Sequence, residues 1–546
     1  MGGLLYGYDI GIIGAALLFL NKTIDLTIQQ ESLIVGAVLG GGMISSLVAG
    51  GLADLIGRKR VMICSAVMFV ASVGLIVVAH GFLPLFLGRA LQGLSAGMIA
   101  VVIPLHLAEG LPAEIRGRGT ALFQFLLTVG ILIAFYIGSY YTNGVDTSVK
   151  AGIAGAALVQ AQSHAWRGMF ASSIYPAAVF LAGTFFVTES PRWLFRKGKT
   201  DQALAALKKT RSLAQTEIEF REMSEVAARE KSGGGGHTGS LFQRKYVVPF
   251  ILACAVLGLT QATGVNSILQ YLVVVLHQAG LDAAFAARVA TPISGVNCLF
   301  TILGFFLVDR LGRKGMLMIG TGGITIALLI GAFAFHQFEC RRVDVTAPLR
   351  SAIAGPGAGS PNAGTRLPLT AAAIGQPLGS GSSQLVVLYT YGDEGGEWIA
   401  SAYTQDPHPV LSIPADPKGG PLVIKRAKFG PVPGHGTGIA VMACVILFFA
   451  SFATGPGVCV WLALTELMPT RIRSKGMGIG LLINQGISFG IAAVFLPFVG
   501  NYGYTSIFLF WAAFALLFFL VAAFMLPETK GKTLEEIEAS FEGVKP

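Results

Sequence analysis

Twelve runs of apolar residues, each near the roughly 20 that a helix needs to cross a bilayer, divide this chain from end to end. They lie at about 1–20, 33–55, 61–80, 83–108, 118–142, 167–188, 247–276, 286–308, 315–336, 437–464, 476–498 and 503–526. No other feature limits the fold as strongly. Backbone in hydrocarbon must satisfy its own hydrogen bonds, so the runs are expected to be helices. Of the 546 residues 53% are hydrophobic and 12% charged, against about 25% charged in a soluble domain. A water-soluble fold could not hide so much apolar surface. The expected fold class is an all-α membrane protein with 12 transmembrane helices.

The net charge of +10 is a topological signal. The loops after runs 2, 4, 8 and 10 hold Arg58, Lys59, Arg60, Arg116, Arg118, Arg310, Arg313, Lys314, Arg471, Arg473 and Lys475. The opposite short loops hold little beyond Lys22, Lys150 and Arg167. The positive-inside rule places the basic loops and both termini in the cytoplasm, with the chain multi-pass in a plasma (inner) membrane. Its solvent is then the lipid bilayer, and no nucleic-acid partner is expected. No basic stretch precedes the first run, so no cleaved signal peptide is expected. The six cysteines fall almost wholly in apolar runs, without the spacing of a disulfide framework or a metal site. Neither a metal nor a cofactor is expected.

The chain also repeats itself. Asp54-Leu-Ile-Gly57-Arg58-Lys59 recurs as Asp309-Arg-Leu-Gly312-Arg313-Lys314, 255 residues on. Gly7-Tyr-Asp9 has a weaker echo in Gly264-Val-Asn266. Glu109-Gly-Leu-Pro112-Ala-Glu-Ile115-Arg116 recurs as Glu466-Leu-Met-Pro469-Thr-Arg-Ile472-Arg473, 357 residues on. The offset therefore grows by 102 between runs 9 and 10. Two parallel six-helix halves are implied, the second carrying an insertion, and such halves suit a rocking transporter with its ligand near the midplane. The divisions are 1–190, the first half; 191–246, a cytoplasmic helical linker; 247–336 and 437–527, the second half; 337–436, an extracytoplasmic insertion; and 528–546, a cytoplasmic tail. Asp201–Ala227 reads as one helix. Within the insertion Gln384–Tyr391 reads as a strand and much of the rest as irregular, whether cap or loop.

Three motifs carry a resemblance. Gly51-Leu-Ala-Asp54-Leu-Ile-Gly57-Arg58-Lys59-Arg60 follows run 2. Glu189-Ser-Pro-Arg192-Trp-Leu194 follows run 6, and Pro527-Glu-Thr-Lys530-Gly-Lys-Thr533 follows run 12. Together, in this order and at these helix ends, they resemble the sugar porter family of the major facilitator superfamily. The insertion lies outside the resemblance.

The resemblance implies an importer that carries a monosaccharide with a proton by alternating access, and no enzyme; it also implies a monomer. In proton-coupled members an Asp stands where Asp9 stands, whereas many facilitative members carry Asn. Asp9 is then the proton-coupling carboxyl and Arg89 its partner. The physics agrees, since an ionisable group within an apolar run is costly and marks function. The implied sugar contacts are Gln124, Gln261, Asn266, Asn297, Phe452, Gly457, Trp461 and Asn484. Amides both donate and accept, as sugar hydroxyls do. Such amides also knit membrane helices together. The family's Gln-Gln pair in run 7 is here Thr260-Gln261, and its aromatic pair is Gln270-Tyr271. Asp54, Arg58, Glu109, Arg116, Glu189, Arg192, Asp309, Arg313, Glu466 and Arg473 are read as ion pairs closing the cytoplasmic side. The alternatives are a facilitative sugar or polyol uniporter and a non-transporting sugar sensor.

Overall fold

The structure, a computed structural model, describes residues 1–111, 113–209, 211–212, 215–221, 223–224, 244–354, 365–377, 382–392, 396–404, 409–415, 420–467 and 473–530. The twelve apolar runs are helices long enough to cross a membrane: Gly2–Thr23, Ile28–Ile56, Arg58–Val77, Phe82–Leu107, Leu122–Lys150, Ala156–Phe186, Val247–Gln278, Ala283–Val308, Arg313–Glu339, His435–Val460, Gly478–Tyr502 and Tyr504–Met525, hereafter spans 1 to 12. Large apolar side chains such as Phe186 and Phe524 stand exposed on the outside of the bundle, as a lipid-facing surface requires.

Local chemistry sets the helix ends. Span 2 opens on a capping box: the Thr27 hydroxyl accepts from the Gln30 N–H, and the Gln30 side chain accepts from the Thr27 N–H. Span 5 runs on to Lys150, which pairs one turn back with Asp146 at 2.7 Å. Lys150 is thus helical rather than a loop residue. Spans 7 and 10 are broken, at Thr263–Gly264 and at Gly455.

Successive spans reverse direction, so the bundle has two unlike ends. One carries the turns at Gly57 and Gly312 and is rich in basic residues. The other carries the insertion. The halves meet along three seams: span 2 on span 11, span 5 on span 8, and span 1 on the second part of span 7. The last is tight and lies towards the capped end. A Cβ added at Gly14 of span 1 would lie 2.9 Å from the Gln270 carbonyl of span 7. One apolar core runs through this seam, with Ile12, Ile13, Leu17, Leu272 and Leu276 all buried.

The insertion corrects the sequence reading. Its described residues are not largely irregular. Six strands, β1 (Val343–Asp344), β2 (Thr365–Pro368), β3 (Ser383–Tyr391), β4 (Glu397–Tyr403), β5 (Val410–Ile413) and β6 (Leu422–Pro431), form an antiparallel sheet in the order β1-β6-β3-β4 and a separate β2-β5 pair. One face of the sheet, with Leu385, Val387 and Tyr389, packs with Leu349 of helix Thr346–Ala354 in a core of its own. The other face looks towards the bundle. Strand β3 was legible because its centre, Leu385–Tyr389, is an unbroken apolar run. The flanking strands mix polar and small residues and become strands only through their partners.

The expected helix Asp201–Ala227 is likewise interrupted. Helix Thr200–Lys208 ends, the chain turns at Ser212, and the Ser212 hydroxyl accepts from the Gln215 N–H where helix resumes. Arg211 secures the turn by donating to the Gly110 carbonyl at 2.5 Å and by pairing with Glu219 at 3.0 Å. A serine that can cap a new helix outweighed propensity here.

Candidate functional site

Asp9 of span 1 and Arg89 of span 4 form an ion pair of 2.6 Å, and neither side chain reaches solvent. The same guanidinium nitrogen donates to Gln92 Oε1 at 2.9 Å, and the guanidinium lies 5.4 Å from the centre of the Phe170 ring. Asp9 Oδ2 and Arg89 Nε and Nη2 have no protein partner among the described residues. Removing either charge from such a pair leaves the other buried and uncompensated. The sequence had singled out the pair but not Gln92 or Phe170. Gln92 was findable, one helical turn beyond Arg89.

The second cluster sits where span 7 breaks. Gln261 Oε1 accepts from Asn266 at 2.9 Å and from the Ser488 hydroxyl at 2.8 Å. Gln261 Nε2 donates to Asn484 Oδ1 at 3.3 Å, and Asn266 donates to Ser488 at 3.1 Å. Three of the expected sugar contacts therefore converge, with Ser488 added one turn after Asn484. The break brings this about, because Gln261 and Asn266 lie on separate helical pieces either side of Thr263–Gly264.

The other expected contacts are dispersed. Gln124 is half-buried on span 5 and Asn297 buried on span 8. They flank the crossing where the Thr128 hydroxyl meets Cys298 at 3.6 Å. Phe452 stacks parallel to Phe448, and Gly457 abuts the Phe452 ring across the break in span 10. The side chains of Trp461, Arg116, Asp309, Glu466 and Arg473 lie outside the described residues. Gln270 was noted in the sequence only as a departure. It is wholly buried, with neither amide atom partnered among the described residues.

At the basic end the charges pair within the first half. Arg58, buried, contacts Asp54 at 2.8 Å and Glu109 at 2.8 Å. Arg196 joins Asp54 at 3.2 Å, Ser190 donates to Glu109 at 2.5 Å, and the Trp193 indole donates to the Asp54 carbonyl. Arg192 is exposed on the short helix Pro191–Arg196. Glu189 takes a different part. Its carboxylate accepts from the N–H groups of Arg58 (3.0 Å) and Lys59 (3.2 Å), capping span 3 where the helix dipole is positive. Glu528 does the same for Arg313 (3.1 Å) and Lys314 (3.2 Å) at span 9. The two motif glutamates are thus equivalent by fold, which no direct sequence match showed.

These caps depend on Gly57 (φ 100°) and Gly312 (φ 77°). A Cβ on Gly57 would collide with Glu189, and one on Gly312 would lie 2.5 Å from Glu528. The backbone there is also left-handed. Gly57→Ala and Gly312→Ala are each expected to lower stability by about 1–3 kcal/mol. Thermal unfolding in detergent checks this; an unchanged Tm would show that the caps tolerate a methyl group.

The family described as Sugar (and other) transporter matches residues 1–342 and 421–541. The chain belongs to this family. The gap in the match falls within the inserted sheet. A glucose transporter of Staphylococcus epidermidis is 26% identical over 98% of this chain and 94% of its own. The human proton myo-inositol cotransporter is 26% identical over 99% of this chain and 80% of its own. The xylose transporter XylE of E. coli, in an inward-open conformation, superposes with a TM-score of 0.67 at 22% identity, over 99% of this chain and 97% of that one. The fold is that of the major facilitator superfamily. This family member is a multi-pass membrane transporter, not an enzyme.

Proposed function

We propose that the protein imports a monosaccharide together with a proton by alternating access, with the basic end and both termini in the cytoplasm of a plasma (inner) membrane. The observation that carries this is the Asp9–Arg89 pair. A carboxylate and a guanidinium are held wholly out of solvent in the middle of an apolar bundle, and one carboxylate oxygen is left open. Such a pair is an expensive way to join two helices. It is a natural proton switch. A proton added at Oδ2 cancels the carboxylate charge, loosens its hold on Arg89, and frees spans 1 and 4 to move. The named relatives include a glucose transporter and a proton myo-inositol cotransporter.

In this reading the sugar displaces the internal bonds of Gln261, Asn266, Asn484 and Ser488 and replaces them with its own hydroxyls. Closure of the span 1–span 7 seam corresponds to a state with the capped end shut. The positive-inside rule puts that end outside, so the seam is the outer gate.

Gln270 favours a second reading of the ligand. An amide with two unpartnered atoms stands where the family carries an aromatic, and a more hydroxylated polyol would satisfy it better than a ring face.

The test is the external pH of lightly buffered, de-energised cells expressing the protein as glucose, xylose or myo-inositol is added. Alkalinisation on addition of one of them is expected. Labelled uptake without a pH change would establish a uniporter instead. Binding without uptake would establish a sensor.

A further inference from the structure

The inserted sheet does not lie flat on the bundle. A cavity of about 1010 Å³ separates them, at the top of the roughly 300–1,000 Å³ of small-molecule sites. Its roof is the second face of the sheet. Strand register sets Val386 beside Lys428 and Ser401, and Leu388 beside Arg426 and Ile399, all on that face. Its floor is the outer ends of spans 1, 2, 7 and 11, with Leu18, Asp25, Glu31 and Val274 among them. Leu18 and Val274 stand one turn beyond Gly14 and Gln270, where spans 1 and 7 close on each other. The cavity is therefore a vestibule directly over the seam.

The sheet is anchored at both margins, so the space is held open. Gln29 of span 2 donates to Glu397 at 3.1 Å and accepts from the Glu397 N–H at 3.3 Å. Arg426 donates to the Asn501 carbonyl.

Between these anchors the two walls are chemically complementary. The sheet brings the donors Arg426 and Lys428, and the bundle brings the acceptors Asp25 and Glu31 with the cation Lys22 beside them. Among the described residues no ion pair joins them. The Lys428 ammonium has no hydrogen-bond partner among the described residues, and burial, then Arg426, hold it below the usual range. A sheet merely seated on the bundle by charge would have closed these pairs. Charges of both signs line the space, so a ligand of a single charge sign would satisfy some of them and oppose the others. A neutral molecule with many hydroxyls satisfies both, donating to the carboxylates and accepting from the cations. Trp398, stacked on Tyr389 at 6.1 Å, adds an aromatic surface at the cavity's edge for C–H faces.

We infer that this vestibule is a second, outer binding site for a neutral polyhydroxylated molecule of the class carried, held there until the span 1–span 7 seam opens. The ligand class rests on the transport reading above.

Equilibrium binding of tritiated glucose, xylose and myo-inositol to the full-length protein in lipid nanodiscs tests it. Two sites per chain are expected for the sugar that binds. Gln261→Ala is expected to keep only the outer one. Lys428→Met should weaken the outer site about tenfold, by loss of one charge-assisted hydrogen bond. Ser401→Trp, which fills the cavity from the roof, should abolish it and serves if Lys428→Met folds poorly. A single site, lost in Gln261→Ala and untouched by Lys428→Met and Ser401→Trp, overturns the inference and leaves the transport reading standing. Binding of none of the three sugars overturns both.

Discussion

Asp9→Asn is expected to abolish sugar-evoked alkalinisation and to collapse uphill accumulation. One inward positive charge is worth about 2.3 kcal/mol per 100 mV, so the accumulation ratio should fall about fifty-fold for each 100 mV. Counterflow of labelled sugar across equilibrated vesicles should persist at a reduced rate, because Asn is neutral like the protonated carboxyl but cannot cycle. The substitution also leaves the Arg89 guanidinium buried without a counter-charge. Loss of one partner of a buried pair costs about 3–5 kcal/mol. Asn can keep one hydrogen bond to Arg89, so the lower end of that range is expected. Arg89→Met should cost less, since the stranded Asp9 can be neutralised by taking up a proton and a stranded guanidinium cannot lose one. The double variant should recover part of the lost Tm without recovering coupling, a non-additivity that isolates the pair. If Asp9→Asn still alkalinised the medium when sugar was added, another group would carry the proton.

Gln261→Ala is expected to raise the Kd for the transported sugar about a hundred-fold, the effect of losing two hydrogen bonds to a ligand. Gln261 is the hub of its cluster, accepting from Asn266 and Ser488 and donating to Asn484. Ser488→Ala removes one spoke and should cost about tenfold. The alternative is that these amides only join span 7 to span 11. The two roles separate by measurement. A helix-joining role lowers Tm and leaves sugar affinity within about threefold. A binding role moves affinity and shrinks the thermal shift from added sugar in the variant.

Much of the fold was legible because its physics is local. A span needs only its own length of apolar residues, and loop charge needs only counting. The repeat of Asp54–Lys59 in Asp309–Lys314 and the changed offset located the halves and the insertion. Asp9 and Arg89 were legible as costly charges in apolar runs, and the family resemblance joined them. What was not legible depended on partners distant in sequence. Ser488 and Arg196 become site residues only through contacts across helices. The likeness of Glu189 to Glu528 is hidden because their flanking motifs differ, and only their shared task of capping spans 3 and 9 shows it.

By itself, then, the sequence determined the number of spans, the two halves and the costly charges, because hydrocarbon admits almost no other backbone and penalises each buried charge at once. Only the tertiary structure decided which charges meet, that the amides converge at the break in span 7, and that the insertion is a sheet. Those outcomes rest on strand partners, helix crossings and a cavity between two bodies, none of which is a property of any one segment.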